Sequence, residues 1–202
     1  MIYPRAPLSY YSKDARHLAK ELLGAFLVHL ATDASDQAPR VGRIVETEAY
    51  RGPRDAASHA RVGLTERTRV LLGPPGRAYV YLVYGMHECF NVVCFREGEG
   101  HAVLVRAVEP VKGVASGSRG DGPGRLAKAL CISRSHNDGD LVRGPVFISP
   151  RPSGERVDVG RSARVGVAYA GAMAERPWRF FDRASAHVSR PPKSAIGSGA
   201  GT

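Results

Sequence analysis

The sequence predicts a single α+β domain, in which a mostly antiparallel, curved β-sheet has flanking helices and a protruding β-hairpin. A length of 202 residues fits one domain with a substantial core. Short β-branched and aromatic segments recur between Gly- and Pro-containing turns, without any internal repeat. The clearest signal is a hairpin, in which residues 77–83 and 88–95 flank Gly85. We assign residues 1–186 to the folded domain and residues 187–202 to a flexible tail that is too poor in apolar groups to fold.

The segment before this hairpin is predicted to begin with an irregular arm rich in Pro and Tyr, followed by a helix. Asp14 can cap the helix, which extends to about Leu23, and Gly24 is placed to end it. A strand, a turn and a second strand are then predicted at residues 25–30, 33–39 and 41–50.

Two short helical segments are predicted between the second strand and the hairpin. GPRD at residues 52–55 suits a helix start with Pro53 near its first turn. Residues 65–72 form the other helix, which GPPG at residues 73–76 ends. Beyond the hairpin, the pattern predicts a strand at 101–107, a Gly/Ser loop at 113–124, a helix at 125–132 and strands at 145–148 and 163–168.

The composition is typical of a soluble globular protein, with 43% hydrophobic and 24% charged residues. No apolar run approaches the roughly 18 residues that span a membrane, and the N-terminus lacks an apolar signal core. The three cysteines (Cys89, Cys94 and Cys131) are an odd number without CxxC spacing, which favours reduced thiols and argues against a zinc site. We therefore expect a cytoplasmic protein without membrane contact or a zinc site, and nothing in the sequence suggests more than a monomer.

The net charge of +10 is unevenly distributed along the chain. Residues 1–100 contain 13 basic and 11 acidic residues, whereas residues 101–202 contain 16 basic and 8 acidic residues. A basic half attracts phosphate groups in a salt-dependent way. The alternative explanation of the positive charge is a high-GC proteome, which favours arginine, since the chain has 24 Arg and 5 Lys.

The segment RIVETEAY at residues 43–50 is the most informative motif. In a strand, Val45, Thr47 and Ala49 would face the core, and Glu46, Glu48 and Tyr50 would share the other face. A carboxylate beside an aromatic ring can act as a general base toward water. The alternative is a surface glutamate paired with an arginine. Alternation alone gives Glu46 and Glu48 equal claim to the role of base.

Further candidates lie on the hairpin and the neighbouring segments. Tyr79 and Tyr81 share one face of a strand, where aromatic residues usually belong to the core. Tyr84 lies at the exposed hairpin tip, a position that suits an apolar wedge inserted into a DNA duplex. His59 could hydrogen-bond a substrate or simply be exposed. Arg106 lies in an apolar strand, so it needs a carboxylate or a phosphate as partner.

GDGPGRLAKAL at residues 120–130 places glycines ahead of a helix that carries Arg125 and Lys128. Helix N-termini bind phosphate through free N–H groups, which makes these two residues candidates for phosphate binding. The alternative is an ordinary glycine-rich loop. The segment lacks the full pattern of a nucleotide-hydrolase phosphate loop, so we do not predict an ATP site.

Five motifs, namely RIVETEAY, DAASH, YVYLVYGMHECFNV, VLVRAVEP and GPGRLAKAL, together resemble the alkyladenine (3-methyladenine) DNA glycosylase family. They occur in the family's order between about residue 15 and about residue 185. In that family a damaged purine is rotated out of double-stranded DNA into a pocket and cut from its sugar, leaving an abasic site. The resemblance therefore implies a hydrolase of N-glycosyl bonds that acts on duplexes containing alkylated or deaminated purines, without a metal or cofactor. It also implies association with the nucleoid if the organism is bacterial.

The resemblance also implies residue roles. Glu48 matches the general base and Arg106 matches the arginine near the scissile sugar and the catalytic water, whereas Glu46 matches no catalytic role. The remaining matches are the residues that sandwich and read the base (Tyr50, His59 and Tyr81), a pocket wall (Asn91) and the ring that fills the gap in the duplex (Tyr84). Arg125 stands where many relatives have lysine. The match is poor at residues 61–72 and less typical at residues 87–89.

Two alternatives from other classes are a protein that binds distorted DNA without cutting it and a hydrolase of free nucleosides. We predict no lyase activity, because that reaction needs a lysine nucleophile. The five lysines all lie outside the predicted pocket strands (Lys13, Lys20, Lys112, Lys128 and Lys193).

Overall fold

An eight-stranded antiparallel sheet organises the computed structural model, which describes residues 2–30, 38–83 and 85–189. Its strands are β1 (Phe26–His29), β2 (Arg40–Arg51), β3 (Ala78–Val83), β4 (His87–Cys94), β5 (His101–Lys112), β6 (Val146–Ser149), β7 (Val159–Ser162) and β8 (Arg179–Asp182). The α-helices are α1 (Leu8–Tyr11), α2 (Ala15–Glu21) and α3 (Pro123–Ala129). Short 3-10 helices occur at Gly52–Arg54, His59–Val62, Arg134–His136 and Ala168–Met173. This arrangement confirms the predicted α+β class.

Strand β2 is the centre of the sheet, whose main path runs β3-β4-β5-β2-β1-β6. Along one edge β2 pairs with β5. Along its other edge the first part of β2 pairs with β1, and the segment from Glu46 to Glu48 pairs with β8. The two glutamates of β2 therefore lie between β5 and β8, so both edges of their backbone are covered.

The main core lies between the sheet and α2, α3 and the N-terminal arm. Asp14 caps α2 by accepting a hydrogen bond of 2.9 Å from the Arg16 N–H, and Gly24 (φ 81°) follows the helix, as predicted. Thr47 donates a 2.8 Å hydrogen bond to the Ala19 carbonyl of α2. Ala49 belongs to the same core, so the predicted inner face of RIVETEAY is confirmed at these two positions.

The structure corrects two predicted elements. Residues 65–72 form turns rather than a helix, because the four-residue backbone hydrogen bonds (Arg69 N–H to the Thr65 carbonyl and Leu72 N–H to the Thr68 carbonyl) do not follow one another as a helix requires. Residues 163–168 form no strand, and Gly166 adopts a positive φ of 76° there. The strands of this region are β7 and β8, which flank the loop.

Several predicted boundaries also change. The segment predicted to start a helix at 52–55 is a 3-10 turn, β5 extends five residues beyond the predicted end at 107, and α3 begins at Pro123. Most of the turn predicted at 33–39 lies outside the described residues. Within the part of the chain described, the longest α-helices have seven residues, and no helix is long and apolar enough to cross a membrane.

Candidate active site

Two compensating register shifts set the geometry of the site. Glu48 pairs with Leu104 on β5 in the regular register, whereas Glu46 pairs with Ala107 instead of Arg106. Such β-bulges re-aim side chains and are common next to active sites. Here they leave Arg106 between the two glutamates. Its Nε lies 3.0 Å from Glu46 Oε1 and its Nη1 lies 3.5 Å from Glu48 Oε1.

Glu48 is completely buried, and each of its carboxylate oxygens has a partner. The Tyr50 hydroxyl donates a 2.9 Å hydrogen bond to Oε2, and the Val165 N–H donates a 2.8 Å hydrogen bond to Oε1. Burial raises the pKa of Glu48 above its ordinary value, although Arg106, the Val165 N–H and the Tyr50 hydroxyl all favour the charged form. A raised pKa makes the ionised carboxylate a stronger base.

Glu46 is equally buried but has different neighbours. Its carboxylate accepts hydrogen bonds from Arg106, Arg179 of β8 and Ser189. We call Glu46, Glu48, Arg106 and Arg179 the carboxylate–arginine cluster. The ambiguity between the two glutamates, which alternation leaves open, thus becomes a difference of surroundings: Glu48 contacts Tyr50 and Glu46 contacts Arg179.

A second group, which we call the aromatic pocket, consists of His59, Tyr79 and Tyr81. His59 Nδ1 lies 3.0 Å from the Tyr79 hydroxyl, and the His59 ring lies edge-on to Tyr81 at 4.6 Å between centroids. The two tyrosine rings are tilted against each other at 5.2 Å. Burial lowers the pKa of His59 to about 4, with help from Arg67 and Arg61, so the imidazole is neutral at neutral pH.

The two groups adjoin each other. Burial raises the pKa of Tyr81, and the nearby Cys89, Tyr79 and Glu48 raise it further. The pKa of Tyr50 is also raised by burial and then by Glu48 and Tyr81. Tyr50 and Tyr81 are both partly exposed, so the rings next to Glu48 can be reached from solvent. The structure therefore brings together five of the predicted site residues: Glu48, Arg106, Tyr50, Tyr81 and His59.

A cavity of about 290 Å³ opens beside His59. It is lined by Ser58, His59, Arg61, Val62, Thr65, Arg67, Thr68 and Tyr169. The Arg67 guanidinium also lies 5.3 Å from the centre of the Tyr81 ring. A larger cavity of about 740 Å³, bordered by Arg43 and Asp182 among others, contains none of the predicted site residues.

Arg164 supports Tyr50 from the loop before the Ala168–Met173 turn. Its guanidinium is buried, makes two hydrogen bonds of 2.6 and 2.9 Å to Asp55, and lies 4.7 Å from the centre of the Tyr50 ring. The next residue, Val165, donates to Glu48. The sequence patterns do not reveal either role, because they predict a strand at residues 163–168, in which the Val165 N–H would bond within the sheet.

The remaining predicted residues are placed as follows. Asn91 is buried on β4 and donates a 3.0 Å hydrogen bond to the Tyr79 carbonyl, which fixes its side chain against the pocket strand. Arg125 and Lys128 are exposed on α3, and Arg125 forms a 3.0 Å ion pair with Asp121. Tyr84 lies outside the described residues.

No group of three or more His, Cys, Asp or Glu side chains that could hold a metal ion occurs within residues 2–30, 38–83 and 85–189. The carboxylate–arginine cluster instead consists of two carboxylates and two guanidinium groups. Such a site can bind a polar reactant, exchange a proton at Glu48 and stabilise charge, with aromatic rings beside it to receive a planar group.

Residues 9–186 match the sequence profile of the methylpurine-DNA glycosylase (MPG) family. A protein of Myxococcus xanthus (strain DK1622) is 53% identical over 186 residues, which cover 92% of this chain and 94% of the relative. A protein of Anaeromyxobacter dehalogenans (strain 2CP-1) is 51% identical over 194 residues, or 95% of this chain and 88% of the relative. A protein of Legionella pneumophila (strain Corby) is 42% identical over 186 residues, or 92% and 98%. Each relative bears the name "Putative 3-methyladenine DNA glycosylase". With a profile match and these identities across most of its length, the chain belongs to the methylpurine-DNA glycosylase family.

Proposed function

We propose that this protein is a base-excision repair enzyme that flips alkylated or deaminated purines out of duplex DNA and hydrolyses the N-glycosidic bond. The observation that carries the proposal is the position of Glu48, a buried carboxylate between Arg106 and Tyr50, at the edge of an aromatic pocket. The C1′ atom of a stacked nucleotide is inaccessible, so an enzyme that attacks it must extrude the nucleotide. Extrusion is least unfavourable at a damaged base, which gives a first level of selectivity.

The aromatic pocket, together with Tyr50 of β2, receives the extruded base. Tyr50 and Tyr81 are the partly exposed rings closest to Glu48, and they stack on the two faces of the purine. Stacking of a positively charged base on such rings contributes on the order of 1–2 kcal/mol. His59, held neutral at neutral pH, supplies a hydrogen bond to the base edge, and its contact with the Tyr79 hydroxyl fixes the ring orientation.

Glu48 performs the chemical step. It accepts a proton from water as the water oxygen bonds to C1′, and the electron pair of the C1′–N bond leaves with the base. The negative carboxylate also favours the positive charge that develops on the sugar. In the free protein the Tyr50 hydroxyl occupies Oε2, so we infer that Tyr50 releases this oxygen when its ring engages the base. Arg106 holds the Glu48 side chain and contacts the reacting water or sugar.

Binding of the duplex itself involves other residues. By resemblance, Tyr84 fills the space that the flipped nucleotide leaves. Tyr84→Ser should weaken binding to lesion-containing DNA by roughly 1–3 kcal/mol, by analogy with base–aromatic stacking. Arg125 and Lys128, exposed on α3, are placed to contact phosphate groups, although the Asp121 ion pair offsets part of the charge of Arg125. Replacing either residue should reduce the salt dependence of binding.

The reaction is monofunctional and needs no metal. Lyase chemistry requires an amine that forms a Schiff base. Among the described residues, Lys13 is paired with Glu21. The other described lysines are exposed, whereas Glu48 is buried (Lys20, Lys112 and Lys128). Borohydride should therefore trap no covalent DNA adduct, and EDTA should leave excision intact. A trapped adduct would refute the monofunctional assignment.

One experiment separates this function from its alternatives. Lesion-containing duplexes are incubated with the wild-type protein and with Glu48→Gln, and the released base is measured beside DNA binding. Release by the wild type alone supports the proposal. Binding without release would favour a damage-recognition protein, and release from free nucleosides alone would favour a nucleoside hydrolase.

A further inference from the structure

Glu46 is a fully buried carboxylate for which the proposed reaction has no use. Among the described residues, its Oε1 accepts hydrogen bonds from Arg106 Nε (3.0 Å), Arg179 Nε (2.6 Å) and Ser189 Oγ (3.0 Å). Its Oε2 accepts a 2.6 Å hydrogen bond from the Ser189 N–H. A carboxylate buried this deeply is retained in a fold only where charged or polar partners compensate it.

Arg106 connects this carboxylate to the reaction. Its guanidinium uses Nε for Glu46 and presents Nη1 to Glu48, 3.5 Å away, while Nη2 donates to Ser189 Oγ at 3.3 Å. Because the guanidinium is planar and rigid, anchoring Nε fixes the direction of Nη1. Glu46 and Ser189 thus determine where the cation points relative to Glu48.

Charge balance gives Glu46 a second effect on Glu48. The cluster contains two carboxylates and the two guanidinium groups of Arg106 and Arg179, so its formal charges cancel when all are ionised. Ionisable groups from every surrounding element interact electrostatically with Glu48 or lie on a residue paired with it in the sheet. They are Glu46 and Tyr50 (β2), Tyr81 (β3), Cys89 (β4), Arg106 (β5), Arg164 (the loop before β8) and Arg179 (β8). Removing the negative charge of Glu46 would leave an excess of positive charge next to Glu48 and make it a weaker base.

We propose that Glu46 is a positioning residue of the reaction, which holds Arg106 against Glu48 and balances the charge around it. The proposal rests on the function proposed above. It also assigns a function to the segment after β8, because Ser189 forms hydrogen bonds with both Glu46 and Arg106. The sequence prediction assigns Ser189 to the flexible tail, whereas the structure places it in this hydrogen-bond network.

The test measures the rate of single-turnover excision of a lesion-containing duplex from about pH 5 to about pH 9. Because an essential base must be ionised, the rate falls on the acidic side of this pH profile, which we call the acidic limb. Glu46→Gln should slow excision roughly 10- to 100-fold through the misplaced Arg106, and its acidic limb should move to lower pH. Glu46→Asp keeps the charge, so its limb should stay at the wild-type position even if the rate falls. Glu109→Gln, the same change at a half-exposed residue of β5, should behave as the wild type.

Lesion-DNA binding and thermal unfolding of each variant separate positioning from folding. A folded Glu46→Gln protein with the wild-type rate, or with a reduced rate and an unmoved limb, would overturn the proposal. If Glu46→Gln does not fold, Ser189→Ala decides the matter, because it removes one hydroxyl from the network. It should slow excision about 3- to 10-fold, the effect of one hydrogen bond, without weakening DNA binding. The wild-type rate in that variant would overturn the proposal.

The controls distinguish this inference from the function on which it rests. If the wild-type protein releases no base from any lesion-containing duplex, the proposed function fails first. If the wild type is active, Glu48→Gln is inactive, and the Glu46 and Ser189 variants excise the base at the wild-type rate, only the positioning role is wrong.

Discussion

The carboxylate–arginine cluster and the aromatic pocket adjoin each other but are held in different ways. The cluster draws on β2, β5 and β8, its four side chains are nearly inaccessible, and charged hydrogen bonds fix them. The pocket is built from β3 and a short 3-10 turn, it is partly exposed, and ring contacts with one hydrogen bond hold it. The groups assigned to proton transfer are thus locked into the sheet, whereas those assigned to recognition can yield to an incoming base.

This difference predicts two kinds of response to mutation. In the cluster, removing one partner leaves another charge buried without compensation, which is a large and specific defect. In the pocket, trimming a ring removes contact area and leaves the fold intact, which is a smaller defect confined to binding.

The largest effect is expected at Glu48. Glu48→Gln preserves the shape of the side chain but removes its basicity, so excision should fall roughly 10²- to 10⁴-fold. Binding to lesion-containing DNA should persist, because the pocket rings are unchanged. Single-turnover excision and equilibrium binding measure the two quantities separately. Glu66→Gln, at an exposed residue paired with Arg69, is the matched control. Near-normal turnover by Glu48→Gln would assign the base elsewhere.

A buried ion pair beyond the cluster tests whether the same rule holds for stability. Asp55→Asn leaves the guanidinium of Arg164 buried with its charge uncompensated, so the free energy of unfolding should fall by about 3–5 kcal/mol. Asp158→Asn breaks the exposed pair with Arg183 and should change it by less than about 1 kcal/mol. Urea unfolding measures both. Equal effects in the two variants would show that burial does not govern the energetics of these pairs.

Local patterns were sufficient for the elements whose partners are near in sequence. The hairpin β3–β4, the cap at Asp14 and the strand β2 were predicted because turn residues, capping residues and alternation are local signals. The same alternation placed Glu46 and Glu48 on one face. It could not distinguish them, because the distinction comes from Arg179 on β8, a strand that the patterns missed.

The other errors have a related physical cause. The local pattern predicts a strand around Val165, yet the Val165 N–H donates a hydrogen bond to Glu48, 117 residues away in sequence. The composition places Ser189 in the tail because its neighbours in sequence are poor in apolar groups, but its N–H donates a hydrogen bond to the buried carboxylate of Glu46. In both places polar bonds to a distant side chain replace the local pattern. The base-stacking role of Tyr50 comes from the family resemblance. For His59 and Tyr84, position in the chain already indicates a substrate hydrogen bond and a DNA wedge as candidate roles, and the resemblance selects them.

An intermediate effect is expected in the aromatic pocket. Tyr81→Ser removes the ring that faces His59, so affinity for lesion-containing DNA should fall by roughly 1–3 kcal/mol. Tyr81→Phe keeps the ring and should stay close to the wild type. The free energy of unfolding of Tyr81→Ser should change much less than that of Asp55→Asn, since Tyr81 is partly exposed. Loss of folding in Tyr81→Ser would contradict the distinction between the two regions.

The smallest effect concerns the pH dependence of stability through His59. Its pKa is about 4 in the folded protein, against an ordinary value of 6.5, because burial and the nearby Arg67 and Arg61 disfavour the charged ring. Between these values the unfolded chain binds a proton that the folded protein does not, so stability declines as the pH falls from 6.5 toward 4. Above 6.5 both states are neutral and His59 contributes no pH dependence.

The contribution of His59 to the pH dependence of stability is isolated by comparing the wild type with His59→Gln. His29 and His101 also have lowered pKa values, mainly because of burial, and their contributions cancel in the difference between the two proteins. After solvent screening of a partly exposed ring, we expect the wild type to lose about 1 kcal/mol more than the variant on acidification. Urea unfolding near neutral pH and near about pH 5 measures this difference. Parallel pH profiles would mean that the His59 ring titrates normally, and the pocket would then become cationic in mild acid, which would disfavour binding of a positively charged base.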